Sequence, residues 1–310
     1  MAFVLVFLVL SNTNAVFASN LLQSISPLDF LFWSFLAASF VFGTLLVVRH
    51  GFSALAVRRP CAVPLLVLNA TTALTWFGFY YALRYVAPAV VTAIMGGLGP
   101  LTTVAFQRFA HWRSVPSRMY VVAVGILAGT GVLAWASVSG QSGVGRIGLA
   151  ASLAGLVAAV VGGIFQALNT MATKRLGELG LTASQIMTHR FYLLMTIAFV
   201  LALAGPGLSP GPPAHIGFLA LATVLGVLAP LWPLQRGILL SEPVTVAVLL
   251  ACSPVITYLF QGADSRLHWS AATAAGCAIM VLFTLYGTRL MYSTTRPRPH
   301  PSPAPTGPRA

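Results

Sequence analysis

Residues 100–107, PLTTVAFQ, return at residues 254–261 as PVITYLFQ, with Pro and Gln in identical places and apolar character kept between them. The same offset, 100 to 254, pairs Val90 with Val244, Ala93 with Ala247 and Gly99-Pro100 with Ser253-Pro254. The small-residue run Gly125 to Gly131 has a counterpart near Ala271 to Gly276. Self-similarity at about half the chain length predicts two copies of one structural unit.

Composition indicates the solvent in which these units fold. Hydrophobic residues make up 58% of the 310 and charged residues 7%, whereas about 25% of an average soluble domain is charged. This inventory excludes a water-exposed globular surface. A membrane helix needs about 20 apolar residues, and ten runs meet this requirement: Ala2–Ser19, Asp29–Val48, Pro60–Leu83, Val86–Phe106, Met119–Val138, Ile147–Thr173, Thr182–Ala204, His215–Gln235, Pro243–Ala263 and Leu267–Thr288.

Two neighbouring pairs of runs, around Arg84 and around Asp264, could each be read as one long helix. Length argues against this reading, because Pro60 to Phe106 would extend about 70 Å at 1.5 Å per residue. We therefore predict ten separate spans.

Lys and Arg indicate the direction of the spans, because short cytoplasmic loops are enriched in them. With both termini inside, thirteen of the seventeen basic residues are cytoplasmic and three, Arg84, Arg146 and Arg266, are external. The last, Arg190, lies within the seventh run. The net charge of +13 is therefore an orientation signal, and we expect a lipid bilayer and no nucleic acid as partner.

The two ends of the chain need separate interpretation. Met1 to Ala18 resembles a signal peptide, but it lacks a basic n-region, which favours a retained first span. Residues 293–310 form a Pro-rich basic tail, which we predict to be disordered on the cytoplasmic side. The predicted domains are thus residues 1–140 and 141–292, each a five-helix repeat, followed by this tail.

Five spans per repeat is an odd number, so the second repeat must enter the membrane from the opposite side. The predicted fold is an all-α membrane protein with ten transmembrane helices in two inverted repeats, both termini inside. Inverted repeats are typical of secondary transporters, whose substrate site lies near the midplane between the repeats.

At this point the chain resembles the EamA-like branch of the drug/metabolite transporter superfamily. The resemblance rests on the five-plus-five arrangement, on Ser26-Pro27 at the second span, on the run Phe79 to Leu83, and on Gly99-Pro100 and Ser253-Pro254. It covers about residues 1–292. It implies a multi-pass carrier, expected in a bacterial inner membrane, that often exports amino acids or other small metabolites. The fifth and tenth spans would be peripheral supports.

The chain also departs from the pattern that this resemblance implies. The family commonly has Arg in the second span and its repeat-mate in the seventh, whereas this chain has Ser34 and Arg190. The Gly-Glu pair usual after the fourth and ninth spans is replaced by Gln107-Arg108 and Gly262-Ala263-Asp264.

Arg190 is the leading substrate-binding candidate, because a charge at the centre of a membrane helix costs roughly 2.5–3.5 kcal/mol on insertion scales and is by default functional. The alternative is that its long stem snorkels to the cytoplasmic interface. His189 could carry a coupling proton or simply make a hydrogen bond between helices. No carboxylate is expected near the midplane, so facilitated exchange and coupling through His189 stay open.

Further substrate-binding candidates are polar or aromatic residues expected near mid-membrane depth: Asn12, Asn14, Asn69, Thr72, Trp76, Tyr80, Gln166 and Asn169. Asn12 and Asn14 align with residues 166–170, so the first helix of each repeat carries amides at similar depth. Interhelical hydrogen bonding is the alternative for the amides. For Trp76 and Tyr80, and also for Trp232 and Gln235, the alternative is an interfacial belt.

Pro100 and Pro254 are predicted hinges, because a proline removes a backbone hydrogen bond and bends a helix. Gly125-x-x-x-Gly129 permits close helix packing, within the chain or across a homodimer.

The function predicted from these features is alternating-access transport of a small organic solute, amino-acid-like or otherwise carboxylate-bearing, without an enzymatic step. An intramembrane lipid-modifying enzyme and a structural membrane protein are the competing classes. No catalytic cluster, no Gly-rich phosphate loop and no metal-ligand spacing of Cys61, Cys252 and Cys277 is found, so no cofactor and no metal are expected.

Overall fold

The computed structural model describes residues 2–109, 117–139, 148–205, 207–209, 213–262 and 270–295. Within these ranges regular structure is helical and no strand occurs. Helices α1 to α6 are Ala2–Leu21, Pro27–His50, Ala62–Tyr85, Pro88–Phe109, Arg118–Val138 and Leu149–Glu178. Helices α7 to α13 are Ala183–His189, Tyr192–Leu203, Pro213–Thr223, Ala229–Leu240, Pro243–Leu250, Ser253–Gln261 and Ala271–Thr295.

Ten segments of this structure are long and apolar enough to cross a membrane. Their ends differ by five residues or fewer from the predicted runs, so the ten predicted spans are confirmed as helices of sufficient length. α3 ends at Tyr85 and α4 begins at Pro88, which confirms two helices at this turn. The turn around Asp264 lies outside the described residues, as do residues 296–310 of the predicted tail; α13 itself continues to Thr295.

Three spans are interrupted or distorted within their length. The seventh consists of α7 and α8, which are separated at Arg190 and Phe191. The ninth consists of α11 and α12, separated at Ala251 and Cys252 just before Pro254. The eighth joins α9 to α10 through a π-helical turn at Val224–Leu228.

The two predicted hinge prolines differ in their surroundings. Pro254 lies in the first turn of α12, where its missing N–H costs nothing, and the helix before it is interrupted. Pro100 lies inside α4, which continues through it without a break. Of these two spans, the ninth is therefore divided at its proline and the fourth is not.

Helices distant in sequence form the core. α3 packs on α6, α1 on α10, α4 on α6 and on both parts of the ninth span, α2 on α7 and α8, and α5 on α13. Val4, Phe30, Phe35 and Ile126 are among the side chains that these contacts bury completely. α1 is thus an integral part of the packed bundle.

Glycines permit the closest of these helix contacts. A Cβ atom on Gly78 of α3 would lie 2.5 Å from the Ala158 carbonyl oxygen and 2.7 Å from the Gly162 Cα of α6. On α5, Gly125 faces Phe283 and Gly129 faces Met280, both on α13. The predicted Gly-x-x-x-Gly surface is therefore covered within the same chain.

Side-chain hydrogen bonds join the turns at each end of the bundle. At one end, Gln23 after α1 donates to the carbonyl of Arg84, and Asp29 at the start of α2 accepts from the Ser209 N–H. At the other end, Gln185 donates to the Ala54 carbonyl and Lys174 to that of Leu239. The helices thus run alternately between two ends, and the cavity described next lies between them.

Candidate functional site

A cavity of about 60 Å³ lies among the first, third, fourth, sixth, seventh, eighth and ninth spans. It is lined by Phe7, Ser11, Asn12, Thr75, Trp76, Phe79, Thr92, Met95, Gly96, Gln166, Asn169, Thr170, Arg190, Leu231, Leu234, Ile238, Leu250 and Ser253. A cavity of this size holds a few water molecules, whereas small-molecule sites usually measure about 300–1,000 Å³. The cavity is therefore smaller than a usual small-molecule site.

Arg190 is the charged residue in the lining, and 2% of its surface is exposed. Its Nη2 donates to the side-chain oxygen of Asn169 at 2.7 Å, and its Nη1 donates to that of Gln235 at 3.0 Å. Nε has no hydrogen-bond partner. The side chain is thus buried beside the cavity and does not extend to the interface, so the snorkelling alternative is not the observed conformation.

The charge of Arg190 has no ionic partner among the described residues. Its two oxygen contacts are both neutral amides, and Glu178, the carboxylate of the described ion pair, is bound to Arg175. A buried charge is normally paired, because desolvation is expensive. Two amide oxygens supply partial compensation and leave the positive charge available to the cavity.

Asn169 connects Arg190 to the third span. Its Nδ2 donates to the Thr72 hydroxyl at 2.6 Å and lies 3.3 Å from the Thr71 hydroxyl. The orientation of this amide is determined by chemistry, because a guanidinium can only donate and must face oxygen. Thr72 therefore supports the site from behind Asn169 and is not itself among the lining residues.

Asn69 stabilises the break in the seventh span. Its Nδ2 donates to the His189 carbonyl at 2.8 Å, and its Oδ1 accepts from the Leu193 N–H at 3.3 Å. The helix is interrupted here because the ψ angles of Arg190 and Phe191, −10° and 0°, lie away from the helical minimum. One carboxamide thus replaces two backbone contacts and holds Arg190 in the cavity wall.

A second polar chain crosses the other side of the cavity. The Thr92 hydroxyl of α4 donates to that of Thr257 at 3.2 Å, and Thr257 donates to Asn12 Oδ1 at 3.1 Å. Both Asn12 and Thr92 line the cavity. These bonds connect the first, fourth and ninth spans around it.

Aromatic rings form one wall of the site. Trp76 stacks on Tyr80 with ring centroids 5.6 Å apart, and Phe35 lies 5.0 Å from both Trp76 and Phe191. Trp76 and Phe79 reach the cavity. Trp76 is 8% exposed and Tyr80 is fully buried, so these rings belong to the interior and not to an interfacial belt.

The structure brings five of the ten predicted substrate-binding residues to the cavity: Asn12, Trp76, Gln166, Asn169 and Arg190. Asn69, Thr72 and Tyr80 lie immediately behind that wall. His189 and Asn14 are not among the lining residues. The His189 ring bonds the Tyr192 hydroxyl at 2.9 Å, and Asn14 lies against Gly226, in a separate groove between α1 and α9.

Gln235 is the main residue of the site that the sequence does not predict. The sequence favours an interfacial position for it, but it is fully buried and bound to Arg190. Its position five residues before the end of α10 gives no local sign of this contact. The signal in the sequence is Arg190 itself, because a lone arginine in a membrane span needs side-chain oxygen partners from other helices.

No protein-family model and no curated protein matches this chain. The crystal structure of another protein, for which no activity is named, matches this chain with a TM-score of 0.70 at 19% identity. The match covers 95% of this chain and 98% of the other. At this identity the similarity concerns the fold alone.

Proposed function

We propose that this protein is a secondary membrane transporter of a small organic solute that bears a carboxylate, and that it belongs to the EamA-like carriers. The carrying observation is Arg190, a buried guanidinium at a cavity with two neutral amides as its oxygen partners. A carboxylate would complete its coordination, since a guanidinium binds carboxylates in a bidentate manner.

The helix contacts support the proposed pair of inverted repeats. Exchanging each span with the one five places along turns the contact of α3 with α6 into that of the first span with the eighth. It also turns the contact of α4 with α6 into that of α1 with the ninth span. The second and seventh, fourth and ninth, and fifth and tenth spans contact each other, as self-equivalent pairs must.

Individual residues support the same relation. Gly96 lies against Leu250, its own counterpart at the offset of 100 to 254. Asn69 aligns with Thr223 at that offset, and Ser34 aligns with Thr188, two residues before Arg190. Ser34 bonds Thr223 at 2.8 Å, just as Asn69 bonds the backbone beside Arg190. Because five is an odd number, two five-span repeats related in this way would enter the membrane from opposite sides.

The small cavity supports a mechanism in which the repeats move. A cavity of about 60 Å³ must widen to admit an organic solute, and rocking of two inverted repeats around a midplane site is how such carriers expose it to each side in turn. The breaks in the seventh and ninth spans are places where this movement could occur, because each lies at the cavity: Arg190 in one, Leu250 and Ser253 beside the other.

Transport itself is tested with purified protein in liposomes loaded with labelled amino acids and organic acids. We expect solute-specific efflux that Arg190→Gln abolishes, while Arg175→Gln, which alters an exposed ion pair, leaves it unchanged. Arg190→Lys keeps the charge but loses the planar pair of donors that can bind a carboxylate in a bidentate manner, so we expect the flux to fall at least tenfold. Absence of specific flux from folded protein across the panel would refute the proposal.

Orientation is tested by labelling single cysteines in intact cells of a bacterial host with a membrane-impermeant thiol reagent. A protein with both termini in the cytoplasm should be labelled at Ser24→Cys, in the turn after α1, and protected at Ser53→Cys, in the segment after α2. The opposite pattern would reverse the proposed topology.

A further inference from the structure

The lining of the cavity carries charge of one sign. Among the described residues that line it, Arg190 is the one ionisable side chain. The remaining polar groups are amides and hydroxyls. A positive group on a bound solute would therefore meet a guanidinium and no carboxylate.

Three amide oxygens at the site already accept a hydrogen bond, and Gln166 carries the remaining amide of the lining. Oxygens of Asn169 and Gln235 accept from Arg190, and that of Asn12 accepts from Thr257. Rotating either of the first two amides toward a solute would turn an NH₂ group onto the guanidinium. An ammonium that used the second lone pair of either of these two oxygens would therefore lie close to the guanidinium.

Donors, in contrast, are left without acceptors. The Nε of Arg190 and the Nε2 of Gln235 are buried and have no hydrogen-bond partner. Native proteins satisfy nearly all buried polar groups, so such atoms at a site need an explanation. An anionic oxygen beside the guanidinium would supply the missing acceptor for Nε.

The rest of the lining is suited to an apolar solute body. Phe7, Trp76, Phe79, Met95, Leu231 and Leu234 all contribute to it. Flat aromatic and flexible thioether side chains pack against rings and branched chains. The site therefore combines one anion-binding group with an apolar surface.

We infer that the transported solute is an organic anion that has an apolar body and no ammonium group. Given the proposed transport function, on which this inference rests, zwitterionic amino acids are excluded as preferred solutes. Their carboxylate would bind Arg190, but their α-ammonium would lie a few ångströms from the same guanidinium without a counter-charge. Of the two solute classes predicted from the sequence, amino-acid-like and other carboxylate-bearing solutes, this inference keeps the second.

The test compares acids with their α-amino counterparts in proteoliposomes. The pairs are 3-phenylpropanoate with phenylalanine and 4-methylpentanoate with leucine; phenethylamine is the cationic member of the phenyl series. Flux is measured above that of protein-free vesicles at a pH where the acids are ionised. We expect the preferred acid to be transported at least tenfold faster than its amino counterpart, and phenethylamine not at all.

The outcomes separate the two proposals. Equal or faster flux of the amino acids would overturn this inference while leaving transport established. Faster flux of an acid in wild-type protein, lost in Arg190→Gln, supports both. No flux of any compound by folded protein would overturn the transport function and this inference with it.

Discussion

Arg190 donates a hydrogen bond from Nη2 to Asn169 Oδ1 at 2.7 Å, and a third residue fixes the orientation of this amide. Thr72 of α3 accepts from Asn169 at 2.6 Å, so the amide is fixed at both ends. The two bonds therefore connect the seventh span to the sixth and the sixth to the third, and they fix the direction of the guanidinium.

Replacing Asn169 by Asp should disable the site without unfolding it. The new carboxylate would lie within ion-pair distance of Arg190 and compete with a solute anion for it. We expect at least a tenfold loss of anion flux in proteoliposomes, with the protein still monodisperse. Asn20→Asp, which adds the same charge at an exposed position at the end of α1, is the control. Undiminished flux in Asn169→Asp would argue against solute binding at Arg190.

Replacing Asn69 by Ala should destabilise the break between α7 and α8. The carbonyl of His189 and the N–H of Leu193 would lose their partner, and an unsatisfied buried group costs about 1–3 kcal/mol. We expect a thermal unfolding midpoint lower by several degrees in detergent. Asn69→Asp, which keeps the acceptor for Leu193, should lie between Ala and wild type. An unchanged midpoint in Asn69→Ala, matching the exposed control Asn20→Ala, would show that the break does not need this amide.

Replacing Gly78 by Val should separate α3 from α6. The added atoms would overlap the Ala158 carbonyl and the Gly162 backbone, and overpacking of this kind typically costs about 1–3 kcal/mol. We expect reduced yield of folded protein and a lower thermal midpoint. Gly217→Val on α9 is the matched control, because nothing lies within 4 Å of its Cβ position. Equal effects of the two changes would contradict close packing at Gly78.

Transport should respond to membrane potential more than to a pH gradient. Arg190 is the one ionisable group among the described lining residues, and an arginine keeps its proton. The anion would therefore cross with its charge uncompensated, and 100 mV is worth about 2.3 kcal/mol per charge, roughly 50-fold in the accumulation ratio. Imposing a potassium diffusion potential with valinomycin measures this. Flux that follows the pH gradient and ignores the potential would indicate a coupled proton.

Sequence reasoning predicts the number and limits of the spans because length and apolarity decide them, and each run here is bounded by turn residues or charges. It also identifies Arg190 and Asn169, since polar groups at membrane depth stand out against apolar neighbours. It does not predict the break at Arg190 and Phe191, because neither Gly nor Pro occurs there. That break depends on Asn69, 120 residues away.

The two prolines show the same limit from the other direction. Pro100 and Pro254 are equivalent in the repeat, yet one lies in a continuous helix and the other follows an interruption. The proline is common to both places, so the residues and the packing around it decide the outcome. Gln235 is a third case, because its role in the site is to accept a hydrogen bond from Arg190, a residue 45 positions earlier.

The amide that bridges the seventh span also bears on the order of synthesis. A ribosome completes α3 long before α7 and α8, so Asn69 is already in the bilayer when the broken helix arrives. The carbonyl of His189 and the N–H of Leu193 can then transfer to a waiting partner and need not face lipid unpaired. Had the bridging residue been on a later helix, the nascent chain would have had to hold an interrupted span in hydrocarbon until that helix was made.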